Sequence, residues 1–433
     1  MCLRESRGHS IVRLRVGLDA QLLPNRGSGG IESVIIGLSK ALGELDGPEE
    51  YVIIGPWRDP YWLQPYLSPN QRIVSGPRPP DPIVWRPSPL DPLKKALGPF
   101  RTPMRDLWRR LFPILPTPAP RYWPEVPVSD GFFEHLGCDV LHFPSQKYTL
   151  CAIPSIYNPH DLQHLHFPQF FTPKDIAWRE TIYPVGCRMA QTVAVGSNWI
   201  KRDLVRNYRI DADKIQVIPW APPTKAYSSP SDEYVGSTAD RYELQRPFAF
   251  YPAMTWEHKN HLRLLDALAH LRDQESMTVR LVCTGRRHPS FWPRIEATLE
   301  RLKLQDQVQF LGMVSPEELR AIYRLAQFVV VPTLFEAASG PVFEAWQEGT
   351  PVACSTVTSL PEQVGDAALL FDPYSVVAIA ESVRRMATDE VLRKDLAQKG
   401  MRRLQDFSWE RTAKAYRAVY RRAARQRLTE EDI

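Results

Sequence analysis

The chain predicts an α/β protein built from two Rossmann-like, parallel-sheet domains, and three observations carry that prediction. Its 433 residues exceed what one hydrophobic core usually serves. Short apolar, β-branched runs alternate with helical patterns through both halves, the arrangement of a parallel sheet with helices on both faces. Between the halves, residues 221–246 are rich in Pro, Ser, Thr, Asp and Tyr with little periodicity, which predicts an interdomain linker. The expected organisation is therefore a first domain over 11–220, the linker, a second domain over 247–408 and a terminal segment over 409–433.

In the first half a strand is expected over 11–18, followed by the loop AQLLPNRGSGG and a helix over about 31–42. Further strands are expected over 51–54, 139–143, 192–196 and 214–219. Residues 57–127 hold many of the chain's 41 prolines, interleaved with Trp, Arg and Leu. Proline removes a backbone donor and fixes φ, so that stretch predicts neither a regular sheet nor a long helix. Within it, residues 101–112 carry Arg105, Arg109 and Arg110 around Leu107, Trp108 and Leu111. Two readings stand for this short basic amphipathic segment: a peripheral membrane contact, or a lid that packs Trp108 against its own domain. In the second half, strands are expected over 248–253, 279–285, 308–312, 328–332, 351–355 and 368–371. Residues 409–428 predict an arginine-rich amphipathic helix.

Bulk properties exclude several classes. Basic residues exceed acidic ones by 54 to 49, a net +5 that is too mild to argue for nucleic acid. Six cysteines are scattered without a CxxC or a His–Cys cluster, which predicts a reducing compartment and no structural zinc. No run of about 18 apolar residues suggests a membrane span, and MCLRESRGHS lacks the apolar core of a signal peptide. A cytoplasmic protein is expected, with peripheral attachment at the inner membrane face if 101–112 is a membrane contact.

The most informative stretch is FVVVPTLFEAASGPVFEAWQEGTPVACS, where Glu336 and Glu344 stand eight positions apart. The apolar run 328–331 predicts a buried strand, Ser339 and Gly340 a short loop, and Pro341 the first helical position. Glu336 then falls in a strand-to-helix loop and Glu344 in the first turn of the helix. Open α/β sheets bind ligands at that place, beyond the carboxyl end of a strand and beside a helix N-terminus. A solvated loop residue and a dipole-favoured helical glutamate would show the same spacing. Backbone N–H groups for phosphate and carboxylates for sugar hydroxyls together suit a nucleotide sugar.

This string closely resembles the E-x7-E signature of the retaining GT-B glycosyltransferases of the family-four, or group 1, type. The resemblance implies that Glu336 contacts hydroxyls of the donor sugar and that Glu344 holds the ribose. Ala337-Ala338-Ser339-Gly340 stands where many members carry Gly-Phe-Gly. Gly27-Ser28-Gly29-Gly30 is similar to the family's Gly-Gly loop after the first strand, and implies that Gly29 and Gly30 face the donor diphosphate. Lys259-Asn260, just before an apolar-periodic helix, matches the family's donor-phosphate motif and implies an ammonium beside the leaving diphosphate. The usual arginine of that motif is replaced by Ala253 or Met254, so Arg286 or Arg287 is the candidate second cation. His160-Asp161 resembles the family's His-Asp motif, which implies a donor-sugar contact by His160. Ser197 and Lys201 are similar to a Ser-x3-Lys stretch that shapes the cleft, although Ser197 equally suits a helix cap.

His160, His164 and His166 also invite a metal reading, which their loose spacing disfavours. Asp211-Ala-Asp213 lies before a strand rather than at the end of one, so no Asp-x-Asp metal site is expected. The resemblance thus implies a metal-independent hexosyltransferase with retention of configuration. It uses a nucleoside diphosphate sugar as co-substrate with no further cofactor, and a glycan or lipid-linked glycan as acceptor. The form of the Lys-Asn and Glu motifs favours mannose-type members and GDP-mannose. A terminal helix crossing back to the first domain belongs to the same expectation. The alternatives are a noncatalytic scaffold of this fold that partners another glycosyltransferase, and a sugar-nucleotide epimerase or phosphorylase of the same architecture.

Overall fold

The computed structural model describes residues 13–22, 30–78, 124–222, 229–426 and 428. Among these, thirteen strands form two wholly parallel sheets. The first has the order β3-β2-β1-β4-β5-β6-β7. Its strands are β1 (Arg15–Asp19), β2 (Glu50–Gly55), β3 (Gln71–Ser75), β4 (Val140–Phe143), β5 (Ser155–Tyr157), β6 (Thr192–Val195) and β7 (Ile215–Val217). The second has the order β10-β9-β8-β11-β12-β13. It is built from β8 (Phe248–Pro252), β9 (Arg280–Thr284), β10 (Val308–Phe310), β11 (Phe328–Val331), β12 (Val352–Ser355) and β13 (Leu369–Phe371). Both sheets run outward from their first strand and then reverse, so each has a switch point: β1/β4 in one and β8/β11 in the other. A crevice opens beyond strand ends at such a point because the flanking helices lie on opposite faces.

The strands form where the sequence places apolar β-branched runs, and they are buried on both faces, as helix-covered parallel strands must be. Val329, Val330 and Val331 of β11 lie within 2 % exposure, inside one core that spans the second sheet. Two further cores line the two faces of the first sheet.

Two strands escape sequence reasoning. β3 lies in the proline-rich stretch, but residues 71–75 themselves contain no proline and pair with β2 as a half-exposed edge. β5 is flanked by Pro154 and Pro159, and it forms because a proline carbonyl still accepts: Leu141 N donates to Pro154 O at 2.9 Å. The expected linker also needs correction. Asp232–Arg241 is a helix capped by Ser231, with Val235 and Ala239 packed on the second core. The membrane or lid segment, 101–112, lies outside the described residues.

The terminal helix, Trp409–Ala423, crosses onto the first domain and joins its core through Tyr416, Val419 and Tyr420. Gly37 permits the crossing, since a Cβ there would stand 2.2 Å from the Trp409 ring. Two of its arginines, Arg417 and Arg421, are buried rather than solvated. Arg417 donates to Asp46 O at 2.7 Å, and Arg421 Nε to Glu49 Oε1 at 2.7 Å, both with buried side chains. Beside them runs a buried chain of hydrogen bonds linking Tyr420 Oη, both ring nitrogens of His142, Asn158 and Tyr416 Oη, each link 2.7 Å long.

Candidate active site

A cleft of about 560 Å³ lies between the two sheets at their switch points. One wall carries Gly30, Ser33 and Val34, at the start of the helix Gly30–Glu44 that follows β1. The other carries Lys259, Glu336, Gly340, Pro341 and Glu344. The two sides of the donor motifs predicted from sequence thus face each other.

The Lys-Asn pair is explained by its backbone. Asn260 has φ +62°, a left-handed conformation that asparagine tolerates better than most residues. Its buried side-chain amide donates to Pro332 O and Pro373 O, each at 2.9 Å. Tyr251 Oη donates to Lys259 O at 2.7 Å, and Leu334 N to His258 O at 2.7 Å. The turn after β8 is thereby fastened to the end of β11, which sets Lys259 Nζ 2.7 Å from Glu336 Oε2. Both side chains are largely buried, at 20 % and 13 % exposure, so the pair is better shielded from solvent than a surface bridge.

Glu336 is held from a second direction. The Thr358 hydroxyl donates to Glu336 O at 2.6 Å and accepts from Glu336 N at 3.0 Å. Thr358 itself has φ +50°, strained backbone for a β-branched residue. The turn it begins reaches the other domain. Ser359 Oγ lies 2.7 Å from Ser197 Oγ, and the Glu362 carboxylate accepts from the backbone N–H groups of Asn198 and Trp199 at 2.7 and 3.1 Å. Glu362 therefore places negative charge on the N-terminus of the helix Asn198–Tyr208, where the dipole favours it. Next to Glu336, Phe335 packs its ring among His166, Phe167 and Trp199 of the first domain.

Glu344 falls one position deeper in its helix than predicted, just past the first turn. Gly340 begins the helix Gly340–Gln347, which puts Pro341 second and Glu344 in the second turn. The shift follows from glycine taking the first position ahead of proline. Burial raises the Glu344 carboxyl above its ordinary range, and the one side-chain hydrogen bond found for it, from Tyr323 Oη at 2.8 Å, opposes that shift.

Other predicted residues fare differently. Ser339 does not line the cleft. Its backbone N–H and C=O are both taken by the Gln363 side-chain amide, at 2.8 and 2.9 Å, and its hydroxyl is buried without a partner among the described residues. Gly29 lies outside the described residues. Arg287 is stacked on Trp292 and donates to Phe310 O, and neither it nor Arg286 lines the cleft. His160 stands behind the wall: its ring packs edge-on to the cleft residue Trp220, Nε2 meets Pro144 O at 2.8 Å, and Nδ1 has no partner among the described residues. Burial depresses its basicity. Ser197 caps its helix through Ile200 N, and Lys201 donates to Ile215 O within its own domain. His164 and His166 turn to Glu180 and Asp203, away from each other. No group of three or more His, Cys, Asp or Glu placed to hold a metal occurs among the described residues.

Sequence reasoning missed Thr358, Glu362 and Gln363, whose roles arise only from tertiary contact. It also missed His258, which sits beside the Lys-Asn string and lines the cleft. Burial, reinforced by the neighbouring Lys259 charge, pushes the His258 imidazolium well down, so the ring is neutral.

Comparison with known proteins fits this geometry. Residues 28–221 match the family model described as Glycosyltransferase Family 4, and residues 246–389 the one described as Glycosyl transferases group 1. The O-antigen chain mannosyltransferase B of Escherichia coli is 29 % identical over 61 % of the chain and 73 % of its own length. A D-inositol 3-phosphate glycosyltransferase of Corynebacterium efficiens is 29 % identical over 54 % of the chain and 57 % of its own. The E. coli mannosyltransferase WbdA is 30 % identical over 42 % of the chain, a match that spans only 23 % of that protein. Among solved structures, the sucrose-phosphate synthase of Thermosynechococcus elongatus covers 95 % of the chain, and 99 % of its own is matched, with TM-score 0.66 at 20 % identity. Anabaena HepE, solved with UDP and glucose, covers 94 % with 99 % of its own chain matched, at TM-score 0.64 and 15 % identity. No described helix is long and apolar enough to cross a membrane. With a family model matched in each domain, two Rossmann-like sheets facing across a cleft and the E-x7-E string on its wall, the chain belongs to the group 1, family-four glycosyltransferases of the GT-B fold.

Proposed function

We propose that this glycosyltransferase moves a hexose of mannose type from a nucleoside diphosphate sugar, GDP-mannose being favoured, to a hydroxyl of a glycan or lipid-linked glycan. The single observation that carries the reading is the Lys259–Glu336 pair on the cleft wall, with Glu344 on the same wall and Gly30 opposite. Lys259 is placed to meet the negative charge that grows on the leaving diphosphate, and Glu336 to accept from sugar hydroxyls. Glu344 takes the ribose. The names of the mannosyltransferase relatives support the choice of sugar.

Retention is the outcome that the resemblance to family-four members supports. Glu336 pairs with Lys259 and Glu344 with Tyr323, an arrangement that suits recognition of the donor rather than a glycosyl-enzyme bond. The acceptor oxygen then attacks C1 from the face the diphosphate leaves. The new C1–O bond forms as the C1–phosphate oxygen bond breaks, and the acceptor proton passes to the departing phosphate oxygen. Lys259 provides positive charge at that oxygen, so the reading invokes neither a metal nor a cofactor beyond the co-substrate. Closure of the two domains excludes water and limits donor hydrolysis.

The test is a thermal-shift screen against UDP, GDP, ADP and dTDP and their common sugars, with and without magnesium, followed by NMR of the product's anomeric configuration. Stabilisation by one base family regardless of magnesium, with an unchanged anomer, is expected. No shift with any diphosphate would move the assignment to a noncatalytic scaffold, and an inverted product would remove the retaining mechanism.

A further inference from the structure

One short segment of the second domain, residues 358–363, holds two structures at once. Its end residues grip the loop that carries Glu336. Thr358 Oγ1 donates to Glu336 O at 2.6 Å and accepts from Glu336 N at 3.0 Å. The Gln363 side-chain amide accepts from Ser339 N at 2.8 Å and donates to Ser339 O at 2.9 Å. Its inner residues grip the first domain. Ser359 Oγ lies 2.7 Å from Ser197 Oγ, and the Glu362 carboxylate accepts from Asn198 N, Asn198 Nδ2 and Trp199 N at 2.7, 2.8 and 3.1 Å. We propose that Thr358 and Gln363 are positioning residues that make recognition of the donor's sugar depend on the domain contact through Ser359 and Glu362. This rests on the donor-site reading of Glu336 and adds a regulation to it.

Three features carry it. Both ends of the donor loop have their backbone taken by this segment. The N–H and C=O of Glu336 and of Ser339 each meet one of its side chains, so residues 336–339 move away from it only by breaking four hydrogen bonds. Ser339 and Gln363 are buried, where a broken bond leaves a polar group without water to replace the partner. The loop so held presents Glu336 and Ala338 to the cleft.

The second feature is stiffness. Residues Leu360–Val364 form a short helix, and Leu360 and Val364 are sunk in the second core. From behind, Arg403 donates to Glu362 O at 3.0 Å and to Gln363 O at 3.1 Å. The contacts to the loop and to the other domain are therefore two sides of one packed body. The loop also touches the first domain directly, since Ala337 packs on the core that holds Tyr157, Val193 and Ile200. Parting of the domains removes that contact and the Ser359 and Glu362 contacts together.

Backbone strain is the third feature. Thr358 has φ +50°, which costs free energy for a β-branched residue. Glycine would adopt that angle freely, but it lacks the hydroxyl that Glu336 uses twice. The strained residue is thus the one whose side chain fixes the donor loop. Linkage then works in both directions: a ligand that needs Glu336 in place favours joined domains, and joined domains raise affinity for that ligand. A bare diphosphate carries no sugar for Glu336 and stays outside the coupling.

The experiment titrates the full chain calorimetrically with GDP, GDP-mannose, UDP and UDP-glucose. It is repeated on Thr358→Val, Thr358→Ser, Glu362→Ala and the double variant Thr358→Val with Glu362→Ala. Thr358→Val keeps the shape and loses the hydroxyl, so it should weaken nucleotide-sugar binding about tenfold and leave the bare diphosphate unchanged. Thr358→Ser, which keeps the hydroxyl, should restore the binding. Unchanged diphosphate affinity also shows that the variants are folded. Glu362→Ala should weaken the nucleotide sugar selectively as well, and the double variant should lose less than the product of the two single losses. Equal weakening of diphosphate and nucleotide sugar would make Thr358 a structural residue and overturn the proposal. So would full nucleotide-sugar affinity in Thr358→Val or in Glu362→Ala, no rescue by Thr358→Ser, or multiplicative losses in the double variant. Failure of the unaltered protein to bind any of the four would instead remove the donor reading, and the coupling with it.

Discussion

Lys259 Nζ and Glu336 Oε2 lie 2.7 Å apart, joined from the ends of two adjacent strands, β8 and β11, although they stand 77 positions apart in the chain. Without ligand each charge satisfies the other. On the proposed reading a sugar diphosphate would offer the ammonium a phosphate and the carboxylate a hydroxyl, and the ion pair would open as both contacts form.

Lys259→Ala and Glu336→Gln should each lower kcat about 100-fold to 1000-fold, the usual loss when one preorganised charge is removed from a transition state. Because the two side chains act as one unit, the double variant should lose far less than the product of the single losses. Steady-state kinetics of the three variants checks this. Near-normal rates in both single variants would dismiss the site.

Glu344→Gln separates stability from binding. The buried carboxyl has its pKa raised by burial, so its contribution to stability is present below the unfolded carboxyl's pKa and is lost as pH rises through the folded value. Burial therefore penalises the ionised form of this carboxyl in the native state. Gln keeps an oxygen for Tyr323 and removes that charge. Thermal unfolding at neutral pH should show a higher Tm, while nucleotide affinity falls about tenfold or more through the lost ribose contact.

Glu362→Ala should loosen the two domains. Removing a carboxylate from a helix N-terminus costs about 1 kcal/mol, enough to change the closed-to-open ratio about fivefold. Small-angle scattering should show a larger radius of gyration, and kcat should fall while affinity for the bare diphosphate holds. A Tm change with intact kinetics would limit Glu362 to a structural role.

Acid should weaken the seat of the crossing helix. Burial lowers His142 from 6.5 to about 4. Its bonds to Asn158 and Tyr420 are made by the neutral ring, and His160 is a further titratable neighbour. A folded pKa below the unfolded one gives stability that is present above pH 6.5 and lost as pH falls towards 4. That shift corresponds to about 3 kcal/mol at most. Urea unfolding at pH 7 and pH 4.5 should show the loss, and His142→Gln should reduce its pH dependence.

The fold was legible because helix-covered parallel strands must be apolar along their whole length, and such runs stand out in this chain. β3 and β5 were not, since one is a half-exposed edge among prolines and the other is a short strand flanked by Pro154 and Pro159. The cleft residues with local signals, Gly30, Lys259, Glu336 and Glu344, are brought to one place. Ser339 carried the same local signal, but Gln363 takes its backbone, a contact that no spacing reveals. Arg287 looked available as a cation until Trp292 occupied it. Thr358 and Glu362 left no trace in the sequence, because their partners are Glu336 and a helix end in the other domain.

The terminal helix also sets an order of events during synthesis. Tyr416, Val419 and Tyr420 belong to the same core as Ile35 and Ile36 in the helix after β1. A ribosome releases the first domain's strands long before residues 409–423 emerge, so that apolar face waits uncovered while the whole second domain is made. Nascent chains stalled before residue 409 should therefore hold a chaperone on the Gly30–Glu44 helix, and chains released past 423 should let it go.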